Sequence, residues 1–420
     1  MPAGRHPEQQ VTARANPPGP LHRRGPRPLL LHLTLAMTRS AVSSGAWPSW
    51  SAIWPQRTAA ATAPPLARLA ELLKRDGSAT EGQFAQAVLA ETWTQDRALL
   101  KGIAAYRRHP YSRAMPEPPT LWHEGSSRLL DYAPGAGGPI ILFVPSLINR
   151  SYILDLMENR SVLRWFAAAG MRPLLLDWGA PGALENSFTL TDYVAGRLER
   201  VLGSLEEPVI LAGYCMGGLL TLAAAVRRPD RVRGLALLAT PWDFHAPDAD
   251  RARNLAAQLP ALEPAMAVTG NLSTDLLQML FACLDPFDVT RKYRAFGRLE
   301  QSGAGATMFV AIEDWLNDGI PLAAPVAREC LGGWYGENLP ARGAWRIAGA
   351  PIEPAAWKGP SFVAIPERDR IVPPESAISL ATALKSAAVH RPAAGHVGMA
   401  AGSRAESELW RPLRDWCASI

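Results

Sequence analysis

The distribution of apolar residues changes character several times along the chain. Residues 127–241 contain short apolar runs that alternate with segments of helical periodicity. The runs at 139–144, 171–177, 208–212 and 235–239 are continuously apolar, as expected of strands that are buried on both faces. The intervening segments at 162–169, 193–202 and 216–226 have helical spacing. Residues 127–132 are predicted to form an edge strand. This alternation predicts a doubly wound, mostly parallel sheet.

The alternation stops at about residue 242 and resumes with an apolar run at 360–365. Helices are then predicted at 375–384 and 406–417. About a hundred residues are therefore inserted before the last strands. We expect a core made of residues 121–241 and 346–420, with residues 242–345 forming a helical cap, or lid, over the site.

The first 60 residues have no sustained periodicity, and we expect a disordered extension. Arg23 and Arg24 precede the apolar stretch 29–36, which resembles a short secretion signal, but polar residues interrupt it and Met37 offers an internal start. A disordered extension or a gene start placed too early is the favoured interpretation. Residues 61–120 are predicted to form helices, starting near Leu66, and a proline-rich linker. The helices are expected to pack against the catalytic domain.

The net charge of +5 first suggests a nucleic-acid or membrane partner. However, residues 1–39 contain six arginines and one glutamate, so they account for the whole excess. We therefore predict no nucleic-acid partner, and no apolar run reaches the roughly 20 residues of a membrane span. Four cysteines in 420 residues do not form a disulfide framework and fit a reducing compartment. Three of them are expected to be core thiols: Cys283, Cys330 and Cys417.

The fourth cysteine lies in the strongest motif of the chain. Cys215 is at the centre of Gly-Tyr-Cys-Met-Gly-Gly (213–218), between a predicted strand and a predicted helix. This is the nucleophile elbow of the α/β-hydrolase fold, with cysteine in place of serine. A thiol at a helix N-terminus is favoured as thiolate, and the backbone N–H of Met216 is expected to point at the developing oxyanion.

In this fold the acid and the histidine follow the nucleophile along the chain. Asp369 follows the strand that ends near residue 365, and His396 lies in a glycine-flanked loop before the last helix. The alternatives are Glu367 for the acid and His390 for the base. We predict a Cys215–His396–Asp369 triad.

The predicted triad needs a second oxyanion donor besides Met216. We expect it to be the backbone N–H of Ser146 or Leu147, in the loop after the first buried strand. Nothing in the motifs calls for a cofactor or a metal.

Several linked segments resemble polyhydroxyalkanoate synthases. They are Val-Pro-Ser-Leu-Ile-Asn-Arg-Ser-Tyr-Ile-Leu-Asp (144–155), the Gly-Tyr-Cys-Met-Gly-Gly run, and Thr-Pro-Trp-Asp-Phe (240–244). Asp369 and His396 fall on the other catalytic positions of that family. The resemblance covers about residues 100–418 and is closest to the class III type. It implies polymerisation of (R)-3-hydroxyacyl-CoA with release of CoA, and a role for Asp369 in orienting His396 or in activating the substrate hydroxyl.

The same resemblance implies a cytoplasmic enzyme at a polyester granule, working as a homodimer or with a second synthase subunit. The sequence departs from the family at Ser146, where a second proline is usual, and only partly matches its cap segment at 315–319. Three other functions stay open. They are a cysteine hydrolase similar to dienelactone hydrolases, a polyester depolymerase, and a non-catalytic granule-associated protein.

Overall fold

The centre of the protein is an eight-stranded sheet. This computed structural model describes residues 23–45, residue 75 and residues 81–420. The strands are β1 (Thr120–Glu124), β2 (Ser127–Asp131), β3 (Ile140–Val144), β4 (Arg172–Asp177), β5 (Val209–Tyr214), β6 (Val232–Leu238), β7 (Ser361–Ala364) and β8 (Ala387–His390). Their order is β1-β2-β4-β3-β5-β6-β7-β8. The pairs β1–β2 and β2–β4 are antiparallel, and all other pairs are parallel. The predicted mostly parallel sheet is confirmed.

Helices cover both faces of the sheet and fill the inserted segment. They are α1 (Leu29–Gly45), α2 (Glu81–Arg108), α3 (Val162–Ala168), α4 (Glu199–Ser204), α5 (Met216–Arg227), α6 (Ala249–Ala256), α7 (Leu259–Thr269), α8 (Thr274–Ala282), α9 (Asp288–Phe296), α10 (Ala304–Asn317), α11 (Ala324–Arg328), α12 (Pro374–Ala383), α13 (His396–Ala401) and α14 (Arg411–Ala418). Three π-helical segments adjoin α4, α11 and α14: Asp192–Leu198, Glu329–Gly336 and Glu406–Trp410. The described residues also form three two-stranded pairs, Asp155–Met157 with Arg160–Ser161, Asn271–Leu272 with Leu322–Ala323, and Arg346–Ile347 with Ala350–Pro351. Short 3-10 helices are found at Ser151–Leu154, Glu185–Ser187, Pro229–Arg231 and Pro354–Ala356.

Strand β3 explains why the central strands are continuously apolar. Ile141 and Phe143 belong to the hydrophobic cluster on one face of the sheet, whereas Leu142 and Val144 belong to the cluster on the other. All four side chains are fully buried. Each contributes about 1.5–3 kcal/mol by leaving water. The nucleophile strand β5 lies directly beside β3, so the site is built on the most deeply buried part of the fold.

The predicted disorder of residues 1–60 is wrong for residues 23–45, since these include helix α1. Ala36 of α1 is buried in a cluster with Leu99 and Ile103 of α2, and this burial stabilises a helix that its own sequence would not. Part of the N-terminal charge is also neutralised inside the fold, because Arg23 pairs with Asp314. The rest of the predicted extension and the predicted helix near 66 lie outside the described residues.

Helix α2 packs against the inserted segment, where it crosses α9. Its closest crossing is with α9, where a Cβ atom on Gly102 would lie 1.9 Å from the carbonyl oxygen of Tyr293. Only glycine permits this approach of two backbones. Tyr106 of α2 and Phe296 of α9 are buried in the same cluster.

The remaining expectations about cysteines and membranes can be compared directly. Cys330 and Cys417 are buried, as predicted, but Cys283 is exposed, so the core assignment is wrong for this thiol. It follows α8, whose buried side is formed by residues such as Leu277 and Leu280. Among the helices that the structure describes, none is both long and apolar enough to cross a membrane.

Candidate active site

Cys215 occupies a sharp turn between β5 and α5. Its backbone has φ 57° and ψ −127°, a conformation that side-chain-bearing residues rarely adopt. The strained turn is held in place because the Cys215 N–H donates to the carbonyl oxygen of Leu238 on the neighbouring strand, at 2.8 Å. The half-buried thiol therefore stands at the carboxyl edge of the sheet.

The glycines of the motif are required by close backbone approaches. A Cβ atom on Gly217 would lie 2.0 Å from the carbonyl oxygen of Val144, at the end of β3. A Cβ atom on Gly218 would lie 1.8 Å from Oγ1 of Thr240. Real Cβ atoms do not approach other atoms this closely, so both positions exclude larger residues. The sequence motif thus describes a real packing constraint around the thiol.

Asp369 and His396 meet directly, although 27 residues separate them. Nδ1 of His396 donates to Oδ2 of Asp369 at 2.6 Å. The other carboxylate oxygen accepts the backbone N–H groups of Ile371 at 2.8 Å and Val372 at 2.9 Å. Both oxygens of Asp369 are therefore engaged, and its side chain has 0% exposure.

His396 is also held from its backbone side, where it begins α13. The Tyr214 hydroxyl donates to the carbonyl oxygen of His396 at 3.2 Å, and the two rings lie 5.2 Å apart. Cys215 and His396 line the same cavity. Since Nδ1 is engaged by Asp369, Nε2 is the nitrogen that remains for the thiol.

The charge state of His396 follows from these contacts. Burial by itself lowers its pKa, but charge interactions with Cys215 and Asp369, together with hydrogen bonds to both, outweigh burial and raise the pKa to about 10. The imidazolium is therefore the favoured form at neutral pH. A charged ring between two acidic groups can both hold a thiolate and donate a proton to a leaving group.

The two alternatives from the sequence lie elsewhere. The Glu367 side chain is exposed, two residues before Asp369. His390 stacks on Phe362 with ring centroids 5.8 Å apart, and its Nε2 contacts the carbonyl oxygen of Glu408 at 2.5 Å. Neither residue faces Cys215. The structure thus brings together the three residues that we selected and separates them from their rivals.

The predicted oxyanion donors lie near the thiol, but not equally so. Met216 is the first residue of α5, directly after Cys215. Ser146 lines the cavity that reaches the thiol, and its Oγ accepts the Ile148 N–H at 3.2 Å. Met216 borders a second cavity at the thiol, whereas Leu147 borders neither of the two. Of the three residues, Met216 and Ser146 are therefore those that border open space beside Cys215.

Two cavities meet at Cys215, with volumes of about 580 and 630 Å³. His396 and Ser146 border the first, whereas Phe244 and Tyr335 border the second. Among the described residues that border both, two have charged side chains, Arg251 and Arg370. In the part of the chain that the structure describes, no group of His, Cys, Asp or Glu side chains is arranged to hold a metal ion.

One part of the wall of the first cavity was not predicted from the sequence. Pro26, Arg27 and His32, from the N-terminal segment predicted to be disordered, line it. The apolar run 29–36 was a usable signal, since it marks the start of α1.

The elbow, the triad geometry and the sheet order define an α/β-hydrolase-fold protein with a cysteine at the nucleophile position. A sequence profile described as alpha/beta hydrolase fold matches residues 187–400. Among solved structures, a monoacylglycerol lipase of Paleococcus ferrophilus has a TM-score of 0.45 at 17% identity, covering 69% of this chain and 98% of the lipase.

Comparison with curated sequences identifies the family. The poly(3-hydroxyalkanoate) polymerase subunit PhaC of Haloferax mediterranei is 31% identical over 66% of this chain and 58% of its own length. PhaC of Allochromatium vinosum is 30% identical over 68% of this chain and 82% of its own length. The chain belongs to the poly(3-hydroxyalkanoate) polymerase family. The predicted resemblance is confirmed, and the expectation of an acyltransferase enzyme is confirmed at the level of this family.

Proposed function

We propose that the protein is an acyltransferase that polymerises (R)-3-hydroxyacyl-CoA into a polyhydroxyalkanoate with release of CoA. The observation that carries this proposal is that Cys215, at the elbow, shares a cavity with His396, which is hydrogen-bonded to Asp369, in a chain from the polymerase family. A thiol nucleophile suits a thioester substrate, because exchange of one thioester for another is nearly isoenergetic.

The proposed reaction has two halves. In the first, the Cys215 thiolate attacks the thioester carbonyl, the bond between the acyl carbon and the CoA sulfur breaks, and His396 gives its proton to the CoA thiolate. In the second, the neutral His396 takes the proton of a 3-hydroxyl group, whose oxygen attacks the acyl carbon on Cys215. An ester forms, the bond between the acyl carbon and the Cys215 sulfur breaks, and Cys215 leaves as the thiolate beside the imidazolium. Each half leaves His396 in the state that the other half needs.

We assign Asp369 to orienting His396 rather than to contacting substrate. Its two carboxylate oxygens are occupied by His396 and by backbone N–H groups, and the side chain is fully buried. A group in this position fixes the tautomer and stabilises the imidazolium. The backbone N–H groups of Met216 and Ser146 are proposed to bind the oxyanion of the tetrahedral intermediate.

The surroundings of Cys215 support an acyl-CoA donor. Arg251 and Arg370 border both cavities, and Arg370 pairs with Asp285, which borders the first, at 3.6 Å. We propose that the Arg251 guanidinium binds a phosphate group of the donor. We propose that residues 242–345 act as the cap of the site, since Phe244, Arg251 and Tyr335 come from this segment. A second subunit or homodimer partner, and a place at the polyester granule in the cytoplasm, are part of the same proposal.

The test is incubation with (R)-3-hydroxybutyryl-CoA, measuring free CoA and the acyl product. We expect CoA release with polymer as the product, and no CoA release by the Cys215→Ala variant. Cys417→Ala is the matched control, because it removes a thiol that is buried away from both cavities. Free 3-hydroxybutyrate as the sole product would replace the polymerase by a hydrolase. Absence of CoA release from any 3-hydroxyacyl-CoA would favour a non-catalytic protein.

A further inference from the structure

The N-terminal segment is fastened to the inserted segment by a buried ion pair. The Arg23 guanidinium meets the Asp314 carboxylate through two hydrogen bonds, Nε to Oδ1 and Nη2 to Oδ2, each 2.7 Å long. The side chains are 7% and 13% exposed. Arg23 also donates to the carbonyl oxygens of His109, at 2.6 Å, and Tyr111. A bidentate pair with two further acceptors fixes the guanidinium in one orientation.

Asp314 depends on this contact. Its Oδ1 also accepts the Tyr106 hydroxyl at 2.8 Å, so the carboxylate is held by one cation and one neutral donor. Without Arg23, a largely buried carboxylate would lose its counter-charge. The pair therefore resists separation, although its members are 291 positions apart in the sequence.

The residues that follow Arg23 are fastened at a second point and then enter the cavity. The Arg27 N–H donates to Oδ1 of Asn317 at 2.8 Å, and its guanidinium pairs with Asp275. Pro26, Arg27 and His32 then line the cavity of about 580 Å³ that Cys215 and His396 also line. The segment 23–32 is thus a wall of that cavity.

His32 and Asn149 point to a polar ligand at this wall. Both residues line the cavity, and His32 is 3% exposed. Nδ1 of His32 and Oδ1 of Asn149 are buried without a hydrogen-bond partner among the described residues. Buried polar atoms are nearly always paired, so two unpaired atoms on residues that line one cavity indicate groups that a ligand satisfies.

We propose that the segment 23–32 is part of the acyl-donor binding site, with Arg23 as the residue that positions it and His32 as a residue that contacts the donor. This inference rests on the proposed function for the identity of the donor, a thioester with amide and hydroxyl groups. The hydrogen bonds described above for His396 and Asp369 involve no residue of this segment. Loss of the segment's position therefore weakens donor binding more than it slows the chemical step.

The first experiment measures access to Cys215 and needs no turnover. In a Cys283→Ser background, which removes the exposed thiol, the alkylation rates with a bulky maleimide and with iodoacetamide are compared. In Arg23→Met the broken pair should displace the segment 23–32 and open the cavity. The rate with the maleimide, divided by the rate with iodoacetamide, should therefore rise by about tenfold. Arg411→Met, which breaks the exposed pair with Glu406, is the control and should leave the ratio unchanged.

The second experiment separates binding from chemistry. His32→Phe keeps the ring volume but removes the nitrogens, so the KM for (R)-3-hydroxybutyryl-CoA should rise about fivefold while kcat changes less than about twofold. Arg23→Lys should recover only part of the Arg23→Met defect, since lysine cannot form the bidentate pair.

The outcomes separate this inference from the proposed function. An unchanged alkylation ratio in a folded Arg23→Met protein overturns the positioning role. An unchanged KM in His32→Phe overturns the donor contact, and this variant decides the matter if Arg23→Met does not fold. If the wild type releases no CoA but the alkylation ratio responds as expected, the polymerase assignment fails, whereas the role of Arg23 in positioning the segment 23–32 stands.

Discussion

Replacement of Asp369 by Asn tests the triad with little disturbance of the fold. The Asn amide oxygen can keep the two hydrogen bonds from the backbone N–H groups of Ile371 and Val372. The amide NH₂ would then face Nδ1 of His396 in place of the carboxylate oxygen that now lies 2.6 Å away. A donor in this position forces Nδ1 to act as an acceptor, so the ring proton moves to Nε2. The ring can then no longer take a proton from Cys215.

The expected magnitude follows from this tautomer change. The negative charge and the hydrogen bond of Asp369, two of the contributions that raise the His396 pKa to about 10, are both lost. The same change in a serine triad lowers kcat by about 10⁴-fold. A thiol needs less help from a base than a hydroxyl, so we expect about a 10³-fold loss, or about 4 kcal/mol of transition-state stabilisation.

The assay is CoA release from (R)-3-hydroxybutyryl-CoA under saturating substrate, with thermal unfolding as a check of the fold. Glu367→Gln is the matched control, because this carboxylate lies two residues earlier and is exposed. It should retain full activity. An Asp369→Asn protein that unfolds normally and keeps more than about a tenth of wild-type kcat would refute the assigned role.

Further predictions concern the base, the elbow and pH. His396→Gln should lose CoA release by at least about 10³-fold, whereas His390→Gln should keep it; equal losses would remove His396 from the triad. Gly218→Ala should lower the melting temperature, because the added Cβ would overlap Thr240; the expected loss in the free energy of unfolding is at least about 1–3 kcal/mol. Adding Thr240→Gly should restore part of this loss. The raised pKa of His396 means that its stabilising contribution is fully present below the usual value of 6.5 and is lost as pH rises through about 10. In an NMR titration its midpoint should fall in Cys215→Ala; an unchanged midpoint would contradict the Cys215–His396 contact.

The parts of the fold that the sequence predicted well are those determined by local pattern. Strands β3 to β7 are marked by short apolar runs, and the elbow is marked by glycines whose Cβ positions are filled by other atoms. The edge strands β1 and β8 were not predicted as strands. Both are partly exposed, so their sequences lack the apolar signal of a buried strand. Their pairing is determined by the neighbouring strands rather than by their own composition.

The residues of the site also differ in how well the sequence predicted them. Cys215, Asp369 and His396 each lie in a recognisable turn, and their order along the chain selected them together. The role of Arg23 could not be predicted, because it depends on Asp314, far away in sequence. An arginine among prolines and glycines has no local feature that distinguishes it from a residue in a flexible tail.

The crossing of α2 and α9 constrains how the enzyme can open. The backbone at Gly102 is in direct contact with Tyr293, and Gly297 also lies against Gly102. At this crossing no layer of side chains separates the two helices. They can neither slide nor rotate past each other without breaking that contact. Any movement of α9 away from the sheet must therefore carry α2 with it, so that the two helices move as one rigid body. The hinges of such a movement must lie beyond this pair of helices.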